Sequence, residues 1–133
     1  QGTFLVTQQA VRHMLERNVT NGAIVNIASI AGKYGYPRLG AYASSKGAVI
    51  AFTKSVALEV ATKGIRVNVI LPGLTRTPMI TKYSNETINN RTESRIPMKR
   101  MAEPIEISET IMFMSSPKAS YMTGAAIDVT GGA

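Results

Sequence analysis

Three short apolar runs constrain the fold of this chain more than anything else in it: Ala23-Ile24-Val25-Asn26-Ile27-Ala28, Ile65-Arg66-Val67-Asn68-Val69-Ile70-Leu71 and Ala125-Ala126-Ile127-Asp128-Val129. The first is almost unbroken in apolar character, the pattern of a strand buried on both faces, as in a parallel sheet. The segments between the runs are helical. Phe4, Leu5, Ala10, Val11 and Met14 give helical spacing up to Arg17, and Asn18 to Gly22 supply a turn. Residues 30 to 40 carry Gly32, Gly35, Pro37 and Gly40 and read as a loop, after which Ala41 to Thr62 returns to helical periodicity. Gly64 is a plausible C-terminal cap, and Pro72-Gly73 stops the second run. Residues 74 to 99 are irregular and polar, with scattered methionines, and read as a lid. A last helix starts near Pro104 and runs through Ile107, Ile111, Met112 and Met114.

The order helix, strand, helix, strand, lid, helix, strand predicts an α/β fold, with three parallel strands joined by right-handed crossovers. Three strands amount to half of a doubly wound sheet. No repeat, low-complexity tract or composition shift divides the 133 residues, so a single incomplete domain is expected. The chain begins at Gln1 with neither an initiator methionine nor a signal-like segment. The expectation is that the true start is missing, processing being the other account.

Composition excludes several functions. With no cysteine there is no disulfide framework or thiolate metal site, and the single histidine, His13, leaves no histidine-based metal cluster. No apolar run reaches transmembrane length. The formal charge of +7 raises the question of nucleic acid. Its distribution speaks against that partner, because the 15 Lys and Arg are scattered, only Lys99-Arg100 are adjacent, and no aromatic residues interleave with a basic stripe. Sequons at Asn18, Asn85 and Asn90 read as chance matches. No two glycines are separated by a single residue, so the dinucleotide fingerprint and the kinase-type loop are absent, as is a phosphate loop; Ser-x-x-Lys at Lys46 would need serine where the chain has Ala43, and no Gly-x-Ser-x-Gly flanks Ser29.

One constellation carries chemistry. Tyr42 and Lys46 lie at i and i+4, so on a helix they share a face and put an ammonium beside a phenol. A neighbouring positive charge favours the phenolate, which fits a tyrosine for general acid or base work. Ser29 follows the first run, at the carboxyl end of a strand where open α/β sheets bind ligands, and its hydroxyl is placed to hold a substrate oxygen. The ordinary alternatives are a helix tyrosine with a capped hydroxyl, a solvated helix lysine and a turn serine. Pro72-Gly73 alone is common strand-end punctuation.

Ser29, Tyr42-Ala-Ser-Ser-Lys46, Pro72-Gly73-Leu74-Thr75-Arg76-Thr77-Pro78 and the closing Thr123-Gly124 to Gly131-Gly132 together resemble the short-chain dehydrogenase/reductase family over the whole chain. The likeness is greatest to the branch holding 3-oxoacyl-acyl-carrier-protein reductases and estradiol 17-beta-dehydrogenase 8. The resemblance implies the C-terminal half of a doubly wound Rossmann-type sheet and hydride transfer with NADP or NAD. Tyr42 would exchange a proton with the substrate oxygen, Ser29 would steady that oxygen, and Lys46 would activate the tyrosine and hold the nicotinamide ribose. Pro72 and Gly73 would flank the nicotinamide, Thr75 would meet its carboxamide through the backbone, and Thr77 would reach the carboxamide or a phosphate. The substrate would be a 3-oxoacyl thioester, a hydroxysteroid or another carbonyl compound, with an acyl carrier protein as an allowed partner and a tetramer as the implied assembly. The implied address is intracellular, in cytoplasm or mitochondrial matrix.

The family's glycine-rich fingerprint, its Asn-Asn-Ala-Gly stretch, its ribose-selecting residue and its catalytic asparagine would all precede Gln1. The 133 residues alone are therefore expected not to bind cofactor, and the choice between NAD and NADP does not lie in them. A non-catalytic subunit with an assembly role, or an inactive fragment, is the alternative reading. Met79, Met98 and Met101 fit a substrate channel or core filling equally. Lys63 fits either a carrier-facing charge or a cation at a helix C-terminus.

Overall fold

The computed structural model describes residues 1–80, 92 and 94–133. The three apolar runs become β1 (Gly22–Ile27), β2 (Ile65–Pro72) and β3 (Ala126–Val129), paired in parallel in the order β1-β2-β3. Gly22 lies opposite Ile65 and Ile27 opposite Ile70; Val69 lies opposite Ala126 and Pro72 opposite Val129. All three strands thus present their carboxyl ends at one edge of the sheet. Helices α1 (Gly2–Glu16), α2 (Ala31–Tyr34), α3 (Gly40–Val60) and α4 (Pro104–Ser115) flank it, and a 3₁₀ turn over Ala61–Lys63 extends α3.

Side chains of β2 alternate between two cores, as the period of a strand requires. Ile65 and Val67 pack with Val56, Ala57 and Val60 of α3, joined by Val11 and Met14 of α1. Ile70 faces the other way, against Ile107 and Met114 of α4. Five successive residues of β2, Val67 to Leu71, are buried. Burial on both faces, expected for the first run, is therefore found in the second. In β1 the residues Ala23 to Val25 are half-buried and Ile27 is 45% exposed. The physical reason is position: among the described residues β1 has a neighbour on one side only, so fewer side chains overlie it.

Each of the two longer strands contains one asparagine, and each is satisfied in the interior. Asn26 accepts from the Thr7 hydroxyl at 3.1 Å and donates to Thr53 Oγ1 at 2.9 Å, joining α1, β1 and α3. Asn68 donates to the Met122 carbonyl at 2.8 Å and accepts from the Ala125 amide at 3.0 Å, fixing the approach to β3. A buried amide is tolerable only with such partners. Arg66, on the α4 side of β2, donates to the carbonyls of Met114 at 2.9 Å and Ser116 at 3.1 Å. It thereby satisfies acceptors that the end of α4 leaves without intrahelical donors.

Sequence and structure agree on helix and strand positions to within a residue or two. The loop expected over residues 30 to 40 contains the single-turn helix α2, because Ser29 organises it: the Ala31 amide donates to Ser29 Oγ at 3.2 Å and the Gly32 amide to Ser29 O at 2.9 Å. Gly64 closes the α3 extension in the left-handed region at φ 71°, as a C-terminal glycine does. The helix near Pro104 begins with a capping box between Glu103 and Glu106. No described helix is long and apolar enough to cross a membrane.

Candidate active site

The carboxyl edge of β1 brings the first part of the site together. Ser29 lies two residues past the end of β1, and its hydroxyl and carbonyl both cap α2. Tyr42 and Lys46 sit one turn apart at the start of α3, with the Lys46 ammonium 5.8 Å from the centre of the Tyr42 ring. Lys46 Nζ also donates to the Ile27 carbonyl at 3.3 Å. A flexible four-carbon side chain is thus held between the last carbonyl of β1 and the phenol. Tyr42 is 39% exposed, so its ring is open to a ligand arriving from solvent.

The Ile27 carbonyl was not anticipated from sequence, because a backbone acceptor leaves no mark in residue identity. Asn26, whose amide joins Thr7 and Thr53, lies inside a run of apolar character. A lone amide amid aliphatic residues is the signal that marks it.

The second part of the site follows β2. The Gly73 amide donates to the Val129 carbonyl at 2.9 Å, which ties this turn to the end of β3. Thr75 forms an isolated parallel bridge with Ala102: the Arg76 amide donates to Ala102 O at 2.9 Å and the Ala102 amide to Leu74 O at 3.0 Å. In that pattern the amide of Thr75 itself points away from Ala102. It has no partner among the described residues. The hydroxyl of Thr75 donates to Gly73 O at 3.2 Å and that of Thr77 to Thr75 O at 3.5 Å, so both threonines organise the local backbone.

Of the segment read as a lid, residues 81–91 and 93 lie outside the described residues, and with them the sequons at Asn85 and Asn90. The described flanks are anchored. Arg76 pairs with Glu103 at 2.8 Å, the Met98 amide donates to Gly131 O at 3.1 Å, and the Arg95 guanidinium lies 5.8 Å from the centre of the Tyr36 ring. The three methionines divide. Met101 is buried, Met79 is exposed, and Met98 lines a cleft with Ala102, Val129 and Gly131 beside the Arg100–Glu106 pair. Arg100, through two hydrogen bonds at 2.7 Å, and then the Glu103 amide hold the Glu106 carboxyl down at about 2. Lys63 sits in the last turn of the α3 extension, exposed to solvent.

A family model described as enoyl-(acyl carrier protein) reductase matches residues 1–133. The chain belongs to the short-chain dehydrogenase/reductase family. Among its relatives in that family, the 3-oxoacyl-[acyl-carrier-protein] reductase of Thermotoga maritima is 42% identical over 99% of this chain and 52% of its own length. The (3R)-3-hydroxyacyl-CoA dehydrogenase of Homo sapiens is 40% identical over 99% of this chain and 50% of its own. A solved structure of 4-hydroxyisoleucine dehydrogenase complexed with NADH superposes with a TM-score of 0.93 at 33% identity, covering 98% of this chain and 54% of that one. The Rossmann-type short-chain dehydrogenase/reductase fold is thereby established for the sheet and its helices. The chain spans about half the length of the curated relatives it matches.

Proposed function

We propose that the polypeptide carrying this chain is an NAD(P)-dependent oxidoreductase that interconverts a carbonyl and a hydroxyl group, with Tyr42 as the proton-transfer residue. The observation that carries this reading is the placement of the Lys46 ammonium against both the Tyr42 ring and the Ile27 carbonyl, at the carboxyl edge of a parallel sheet.

The donors present fit a nicotinamide nucleoside. An ammonium has three N–H groups, and Lys46 gives one to Ile27, which leaves two for ribose hydroxyls. The Thr75 amide, without a partner among the described residues, is suited to a carboxamide oxygen. Pro72 and Gly73, at the carboxyl end of β2, are assigned to flank the nicotinamide ring, and Thr77 to reach its carboxamide or a phosphate. When bound, the nicotinamide supplies or accepts the hydride.

In the reducing direction Tyr42 gives its hydroxyl proton to the substrate oxygen, and in the oxidising direction the phenolate takes that proton back. Ser29 Oγ accepts one backbone hydrogen bond, which leaves its hydroxyl hydrogen to donate to the substrate oxygen. The substrate class is a 3-oxoacyl thioester or a hydroxysteroid; the names of the reductase and the hydroxyacyl-CoA dehydrogenase among the relatives support the thioester. An acyl carrier protein is then a partner. The adenine and pyrophosphate of the cofactor are assigned to residues beyond these 133, in line with the relatives' twofold greater length. Assembly into a tetramer through α1 and α3 is supported by exposed Phe4, Leu5, Val6 and Leu58.

The test uses the full natural polypeptide with NADPH or NADH and an acetoacetyl thioester or estradiol, followed at the nicotinamide absorbance band. Tyr42→Phe lowers kcat by about 10²- to 10⁴-fold with cofactor binding retained. A variant that keeps its rate while binding cofactor normally removes Tyr42 from the proton transfer.

A further inference from the structure

The turn that follows Ser29 meets α3 backbone to backbone, at Gly32. A Cβ built on Gly32 lies 2.6 Å from the Gly47 amide nitrogen, 2.6 Å from the Lys46 carbonyl carbon and 2.9 Å from Lys46 Cβ. In the other direction, a Cβ on Gly47 comes 3.1 Å from the Gly32 carbonyl oxygen. Gly32 does not occupy the left-handed region, unlike Gly35 at φ 69°, so its backbone conformation is open to any residue. What excludes a side chain there is contact alone. Two of the opposing atoms belong to backbone in the interior of α3, where no rotamer change can clear them.

The same glycine is tied to the other side of the site. Its amide donates to Ser29 O at 2.9 Å, one residue after the Ala31 amide has engaged the Ser29 hydroxyl. Lys46, against which Gly32 rests, reaches back to the Ile27 carbonyl just before Ser29. Ser29 and Lys46 are thus joined by one short circuit: Ser29 to Gly32 by a hydrogen bond, Gly32 to Lys46 by bare contact, and Lys46 to β1 by its ammonium.

We propose that Gly32 is a positioning residue of the site, whose missing side chain sets the distance between the Ser29 turn and the Lys46 ammonium. The proposal rests on the role given above to Lys46 in holding the cofactor ribose. A methyl group at Gly32 has to part the turn from α3 by about 1 Å to restore ordinary carbon contacts near ~3.5 Å. A displacement of that size in a catalytic constellation costs about 10²-fold in rate.

The experiment compares Gly32→Ala, Gly40→Ala, Lys46→Met and the Gly32→Ala/Lys46→Met double variant in the full natural polypeptide. NADPH and NADH dissociation constants are measured by fluorescence titration, kcat by absorbance and folding by thermal melting. Gly40 is the control because it lies at the start of the same helix with nothing within 4 Å of a built Cβ. Gly32→Ala is expected to weaken cofactor binding about 10-fold and lower kcat about 10²-fold, while Gly40→Ala changes neither. With Lys46 already replaced by Met, adding Gly32→Ala leaves the dissociation constant within twofold, because the group it displaces is gone. Equal losses in both backgrounds, or no loss in either, overturn the proposal and leave Gly32 a packing residue. Should Gly32→Ala not fold, Gly47→Ala, with its milder 3.1 Å contact, runs the same cycle with a smaller expected loss. The dissociation constants do not depend on proton transfer, so a Tyr42→Phe result that sinks the oxidoreductase reading leaves the Gly32–Lys46 coupling to stand or fall by itself.

Discussion

Thr53 shows how much can depend on one hydroxyl. It is fully buried, accepts from Asn26 Nδ2 and donates to the Val49 carbonyl at 2.8 Å. Thr53→Val keeps the shape and removes the acceptor, so the Asn26 amide is left buried without that partner. The expected loss is about 1–3 kcal/mol in the urea-unfolding free energy of the full natural polypeptide. A loss below ~0.5 kcal/mol would show that water or a shift of Asn26 replaces the bond. The asparagine is visible in the sequence as a break in an apolar run, but its partners lie 19 residues before it and 27 after it. Only folding says that Thr7 and Thr53, and not any of the other threonines, meet it. At the candidate site the same holds. The i, i+4 spacing of Tyr42 and Lys46 is a property of any helix, whereas the Ile27 carbonyl reaches Lys46 only because β1 ends beneath α3.

Among the elements, α4 is fastened at both ends by charge. Glu103 and Glu106 form its capping box, Arg100 binds Glu106 through both oxygens, and Arg66 takes the carbonyls at its far end. The Glu106 carboxyl titrates near its ordinary 4.5 in the unfolded chain and at about 2 in the folded one. Between those values the unfolded state binds more protons, so stability rises with pH through the window, is complete above about 4.5 and is lost as pH falls toward 2. In the full natural polypeptide, Glu106→Gln is expected to flatten the pH dependence of the melting temperature over that interval and to lower the melting temperature near neutral pH. An unchanged acid limb would mean that the pair is broken in solution. The start of this helix was legible from Pro104, but the one-turn helix α2 was not. Its glycines read as loop, and its stability comes from the two Ser29 acceptors and from the seat on α3 that Gly32 permits.

On the scale of the molecule, the described sheet ends at β1, whose outer edge carries no strand partner, and α1 exposes Phe4, Leu5 and Val6 together. Unpaired strand edges and contiguous apolar surface favour association. The 133 residues expressed alone are expected to show no micromolar NADPH affinity by calorimetry and no cooperative monomeric melt; finding both would mean that the unit is self-sufficient. The class of the fold is legible in the residues, since apolar runs of strand length separated by helical periods bury themselves as a parallel sheet flanked by helices. The candidate residues Ser29, Tyr42 and Lys46 are likewise legible there, from residue type and local spacing. Packing settles that β2 and not β1 is the strand buried throughout, that a main-chain carbonyl anchors the lysine, and that Gly32 lies against Lys46. Those are contacts between segments distant in the chain. Local periodicity specifies which face of an element is apolar, but which atoms meet across two packed faces is fixed only when the elements pack.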